Sequence, residues 1–141
     1  MRDRSQAQQL TMLLGVVFLL VGILGFIPGI TTHYGDMSFA GDDSGAKLIG
    51  IFQVSILHNF VHMLFGIAGL ALARTMEGAK QYLIGGGVVY LALWVLGLAN
   101  GGDWIPVNNA DNWLHLALGV GMIGLGVVTT RAPITRMASQ P

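Results

Sequence analysis

The sequence predicts an all-α integral membrane protein, a four-helix bundle built from a duplicated helical hairpin. Three observations carry that prediction. Charge is sparse: Asp, Glu, Lys and Arg make up 10 % of the 141 residues, against 53 % apolar. The mean hydropathy is +0.66. Four long uncharged stretches divide the chain. The second half also repeats features of the first. Soluble domains carry about 25 % charged residues, so seven positive and seven negative side chains leave a soluble surface uncovered. The apolar content and zero net charge exclude a disordered chain and a nucleic-acid binder resting on a basic patch. Length fits one domain, 1–141. Cysteine is absent, which excludes disulfides, thiolate metal sites and a Cys nucleophile. Any metal would take His, carboxylate or carbonyl ligands.

Crossing the hydrocarbon takes roughly 20 apolar residues in a helix. The four spans are expected at about 10–30, 52–73, 81–101 and 109–130. Arg2 and Arg4 precede the first span in the manner of a signal peptide, but its apolar run is too long for that, and no small-residue cleavage pattern follows. It is read as a retained span. Span two carries polar residues in its first third. Span three opens on Gln81 and includes Gly85-Gly86-Gly87. That triplet lacks the Lys-Ser/Thr of a phosphate loop and, with Gly22, Gly25 and Gly29, is read as close helix contact. Span four follows Pro106.

Lys and Arg set the orientation. Arg2, Arg4, Arg74, Lys80, Arg131 and Arg136 mark one side, and Lys47 alone marks the other. Both termini and the Arg74–Lys80 connection are therefore expected to be cytoplasmic. The outer connections hold Asp36, Asp42, Asp43, Asp103 and Asp111. The first of them is Gly-rich, lacks the spacing of a Ca²⁺ loop, and is read as a solvated acidic loop. Trp104 and Trp113 suit an outer aromatic belt and Tyr82 an inner one. His33 and Tyr34 are read as interfacial.

The repeat is visible at two offsets. Gly15-Val16-Val17-Phe18-Leu19, Leu24-Gly25 and Gly29 match Gly87-Val88-Val89-Tyr90-Leu91, Leu96-Gly97 and Gly101, each 72 residues on. Val54-Ser55-x-x-His58-Asn59-Phe60-Val61-His62 and Gly66 match Val107-Asn108-x-x-Asp111-Asn112-Trp113-Leu114-His115 and Gly119, each 53 residues on. Polar residues recur at matched places, which composition alone does not produce. Spans one and two thus correspond to three and four, and such parallel repeats imply a pseudo-two-fold axis along the membrane normal. Ser55 and Asn108 suit the N-caps of spans two and four.

The Gly-Val-Val opening, the long acidic loop, the His58-Asn59-x-x-His62 segment and the Ile105-Pro106-Val107-Asn108…Asp111-Asn112-x-x-His115 segment resemble the domain-of-unknown-function family numbered 4383. The resemblance covers nearly the whole chain and implies a small bacterial four-span membrane protein. It implies no catalytic residue.

At about 100° per residue, His62 lies about 40° from His58 and Gly66 about 80°. Asp111, His115 and Gly119 repeat this arrangement. Small residues mark close helix approach and ionisable residues in spans face the protein interior, so both clusters are expected to face inward at similar depth. The plain reading is structural: His58, Asn59, His62, Asp111, Asn112 and His115 hydrogen-bond across spans two and four, with Ser55 and Asn108 capping. The sharper reading is a metal site. His58 and His62 present two imidazoles on one face, as in helical zinc motifs. Asp111 and His115 would complete a set suited to Zn²⁺ or another divalent ion. Haem held between facing histidines is a third possibility. No catalytic signature accompanies them.

The expectation is a non-enzymatic membrane protein without a required cofactor, structural or an accessory subunit. Its partners would be the bilayer and either copies of itself or other membrane proteins. The alternative is a small transporter or metal-binding protein using the His/Asp cluster. The inner halves of spans two and four carry no charge, which argues against an ion route.

Overall fold

Four helices begin where a short polar side chain can accept an otherwise unpaired backbone N–H. Ser5 caps α1 (Gln6–Leu24), where Gln8 completes a reciprocal capping box. Ser55 caps α2 (Ile56–Leu72) and Thr75 caps α3 (Met76–Leu98). Asn108 caps α4 (Asn109–Thr130), with Asp111 completing a second box. A computed structural model describes residues 3–41, 43–99 and 108–131. Arg2, Asp42, Asp103, Trp104, Ile105, Pro106, Val107 and Arg136, used in the sequence reading, lie outside the described residues, as does the Gly101 repeat position.

The bundle is all-α. Three helices, α1, α3 and α4, are long and apolar enough to cross a membrane, and α2, equally apolar, has 17 residues. Helix α1 stops at Leu24, before its apolar run does. Pro28 has no N–H to continue a helical ladder, and Gly29 takes a φ of +96° that side-chain-bearing residues avoid. Gly29 is thus a turn residue, and a methyl there would touch nothing. This corrects its reading as a helix contact. Helix α3 starts ahead of its apolar run and includes Glu77 and Lys80 in its first turns.

The most extensive helix pairings are α1 with α2 and α3 with α4. Glycines allow both. A Cβ on Gly15 would lie 2.9 Å from Gly66 O and Leu70 N, and one on Gly87 would lie 2.8 Å from Gly119 O. Gly86 abuts Met122 and Phe65, whereas Gly85 faces open space, so the glycine triplet only partly makes helix contact. Between the pairs lies a core of Phe18, Tyr82, Tyr90 and Met122. Tyr82 is 3 % exposed and its hydroxyl donates to Phe65 O at 3.0 Å. Its place is therefore the bundle core rather than an interfacial belt, because burying the ring is compatible with satisfying the hydroxyl there. Outward, all four helices present large apolar residues, among them Leu13, Leu64, Val88 and Val128.

Residues 25–41 and 43–55 form a cap over one end of the bundle. Strands β1 (Thr31–Thr32), β2 (Lys47–Leu48) and β3 (Phe52–Gln53) make a small antiparallel sheet in that order. Asp36 and Asp43 are exposed, but the loop is not merely solvated. Ala46, Leu48 and Val54 form a core of their own against Val21 and Leu24 of α1. Ser44 Oγ donates to Val54 O at 2.5 Å, and Gln53 Nε2 donates to Ser44 O at 2.8 Å. His33 and Tyr34 are exposed.

Candidate functional site: a cavity walled by three histidines

The cap end of the bundle gathers the polar residues singled out above. In α2, Ser55 Oγ accepts from His58 N at 3.1 Å, which fixes the first turn. One turn further on, the rings of His58 and His62 lie 4.2 Å apart. In α4, Asp111 N donates to Asn108 Oδ1 at 2.9 Å and Asn108 N donates to Asp111 Oδ2 at 3.0 Å. The same Oδ2 accepts from Gln53 N at 3.1 Å, and Asn108 Nδ2 donates to Ile51 O at 2.7 Å. Asp111 and Asn108 therefore fasten α4 to β3. His115, one turn below Asp111 and 3 % exposed, packs against Tyr90 with ring centres 5.4 Å apart.

His58, His62, Asp111 and His115 share the wall of one cavity of about 320 Å³. Helix α1 contributes Val17, Phe18 and Val21, the cap contributes Leu48, Phe52 and Val54, and α4 contributes Leu114 and Leu118. A smaller cavity of about 70 Å³ adjoins the same His58–His62 pair from the α3 side and is lined by Val61, Phe65, Val89, Tyr90 and Leu93. The floor beneath the histidines is aromatic. Phe18 stacks on Tyr90 at 5.5 Å and 12°, meets Phe65 edge-on at 5.0 Å and lies 5.8 Å from His62.

The Nδ1 atoms of His58, His62 and His115 are buried without a hydrogen-bond partner in the protein. An unpaired buried polar atom costs about 1–3 kcal/mol, so three around one cavity need a physical explanation. The two asparagines of the cluster behave differently. Asn59, 1 % exposed, turns toward α1 and presses on the backbone of Gly25, with its Nδ2 3.8 Å from Met37 Sδ. Its Oδ1 and that of Asn112 are buried without partners. Ser55 and Asn108 act as caps. The structure thus brings the four proposed metal ligands to one cavity wall. Among the described residues, however, no three His, Cys, Asp or Glu are grouped to hold a metal ion. Asp111 Oδ2 is engaged by two backbone amides.

Sequence reasoning missed the aromatic floor and the cap's contribution. Phe18 and Tyr90 occupy matched positions of the 72-residue offset, a signal that would have paired them. In the cap, Ser44, Ala46 and Leu48 are buried while Gly45 and Lys47 are exposed. This is the period-two pattern of a half-buried strand. Gln53 carries no comparable signal, because its contact with Asp111 runs through its backbone N–H.

No curated protein and no solved structure matches the chain. Residues 8–128 match the family model described as Domain of unknown function (DUF4383), and over that length the glycine-packed helix pairs, the cap and the histidine-walled cavity belong to a member of that family.

Proposed function

We propose that the protein crosses a bacterial plasma membrane four times and acts there by binding, as a non-enzymatic accessory or structural subunit. In this reading both termini and the Arg74–Lys80 connection are cytoplasmic, and the cap lies outside. The carrying observation is that, among the described residues, the histidine and carboxylate side chains of the bundle interior stop at the aromatic floor. Below His62 and His115 come Phe18, Tyr90, Phe65, Tyr82 and Met122, packed together. Moving an ion through such a layer is costly without polar groups along the way, so a site closed on that side suits binding. A duplicated origin is supported by matched packing: Gly15 meets Gly66 as Gly87 meets Gly119. Association with copies of itself or other membrane proteins is supported by Gly121 and Gly124 of α4, which are exposed with open space beside them, as small residues are at helix–helix interfaces in membranes.

Purified protein in sealed vesicles tests this. Proton and divalent-cation flux equal to that of protein-free vesicles is the expected result, and flux that His62→Ala abolishes would overturn the reading. The shared cavity wall of His58, His62, Asp111 and His115 keeps a second reading in view, that of a metal-binding protein. Elemental analysis of the same preparation decides it, since a stoichiometric metal lost in His62→Ala would favour metal over a metal-free binding role.

A further inference from the structure

We propose that the 320 Å³ cavity is a binding site for a quinone-class lipid, reached sideways from the bilayer between α1 and α4. This rests on the binding reading above and names its ligand. Position comes first. Helices α1 and α4 touch only slightly. Val17 and Leu114 line the cavity and are also 44 % and 37 % exposed on the bundle surface. A wall residue that also forms the outer surface marks a mouth, and at this level of the bundle that mouth opens onto hydrocarbon.

The chemistry of the wall selects the ligand. Apolar side chains dominate it, so the occupant has a substantial apolar part. Its polar residues are Asp111, Tyr90 and three histidines; the histidine Nδ1 atoms are buried with no partner in the protein, and His115 among them is 3 % exposed. A neutral imidazole offers one donor and one acceptor nitrogen, which suits carbonyl and hydroxyl oxygens. An anionic head is disfavoured, because no Lys or Arg lines the cavity and Asp111 does. A cationic head would meet a single carboxylate, Asp111, whose Oδ2 already accepts from two backbone amides. The volume lies at the lower end of the roughly 300–1,000 Å³ usual for small-molecule sites, and far exceeds the roughly 30 Å³ share of one water. The Phe18–Tyr90 stack and the tilted rings of His62 and His115 form a floor of aromatic faces and edges suited to a flat ring. A neutral flat ring bearing oxygens, on an apolar tail leaving between α1 and α4, meets all of these conditions.

The molecule contains its own comparison. Applying the repeat offsets to Val17, Phe18, Asp111, Leu114, His115 and Leu118 yields Val89, Tyr90, His58, Val61, His62 and Phe65. All six line the 70 Å³ cavity between α2 and α3. The two cavities are thus counterparts in the two hairpins. They differ where Leu118 is replaced by Phe65, and where the cap residues Leu48, Phe52 and Val54 roof only the larger one. One of a pair of sites is filled by a ring, and the other is left open beneath a lid.

That difference supplies the test. Full-length protein in detergent is titrated with a naphthoquinone carrying a four-unit prenyl tail, and tryptophan quenching is followed. Saturable binding of one equivalent is expected. Leu118→Phe, which copies the ring already accommodated at Phe65, should abolish saturation while leaving the elution volume and melting temperature near wild type. His115→Leu should weaken binding roughly tenfold, as expected for losing one hydrogen bond. Hexadecanol, with a tail but no ring, should not compete. Non-saturable quenching in the wild type, unchanged affinity in a folded Leu118→Phe variant, or equal competition by hexadecanol would each overturn the proposal. Should Leu118→Phe fail to fold, Val17→Trp at the mouth makes the same test from α1. Failure here with vesicles still impermeable would refute the quinone and leave the non-conducting reading intact, whereas ion flux would refute that reading itself.

Discussion

Glycine positions divide by what a methyl would meet. At Gly66 a Cβ would lie 2.6 Å from Gly15 O and press on the Leu19 backbone. Backbone cannot step aside as a side-chain tip can, so the helices must separate. Gly66→Ala is expected to destabilise by about 1–3 kcal/mol, the usual cost of overpacking, measured as reduced melting temperature in detergent. Gly121 and Gly85 face open space. Gly85→Ala should be neutral or stabilising by up to about 1 kcal/mol, because Ala is the better helix former. If both substitutions had equal effects, the α1–α2 approach described here would be wrong.

Among elements, the join between α4 and the cap concentrates the most consequences in the fewest atoms. Asn108 caps α4, and its side chain also donates to Ile51 O. Asn108→Ala removes both contacts. A lost N-cap costs about 0.5–2 kcal/mol, and the second bond adds to that. Hydrogen exchange should therefore quicken at residues 47–54 as well as in the first turn of α4. Acceleration confined to α4 would show that the Asn108–Ile51 bond does not help to hold the cap. The caps illustrate what local sequence can convey. Ser55 and Asn108 were legible because a cap depends on a residue and its next three neighbours. The inward stripe of Asp111, His115 and Gly119 was legible too, and all three are buried. Tyr82 was misjudged for the opposite reason. Its place is set by Phe65, seventeen residues away, and a tyrosine near a span end reads identically whether it meets lipid headgroups or a carbonyl of the next helix.

For the whole molecule, charge placement predicts orientation. The absence of cysteine makes any introduced thiol the sole target of a reagent. Phe39→Cys in the cap and Met76→Cys at the start of α3 replace residues that are 66 % and 42 % exposed. In intact cells, a membrane-impermeant maleimide should label the first and spare the second until the membrane is opened. The reverse pattern would invert the proposed topology. Either result leaves the bundle itself unchanged, because helix packing does not depend on which way the molecule faces.

By itself the sequence determined the number and kind of helices, where two of them start, which faces of α2 and α4 turn inward, and the family. Each of these follows from residues close along the chain: an apolar run, a helical period, a cap, a motif. The cap's sheet, the aromatic floor and the cavity were decided only in the tertiary structure. A cavity is a difference between the volume that surrounding elements enclose and the volume their side chains fill. Here the space is bounded by Leu118 of α4 and roofed by Leu48, Phe52 and Val54, which lie far apart along the chain. The sequence shows all of these residues. Only packing shows that they bound the same space.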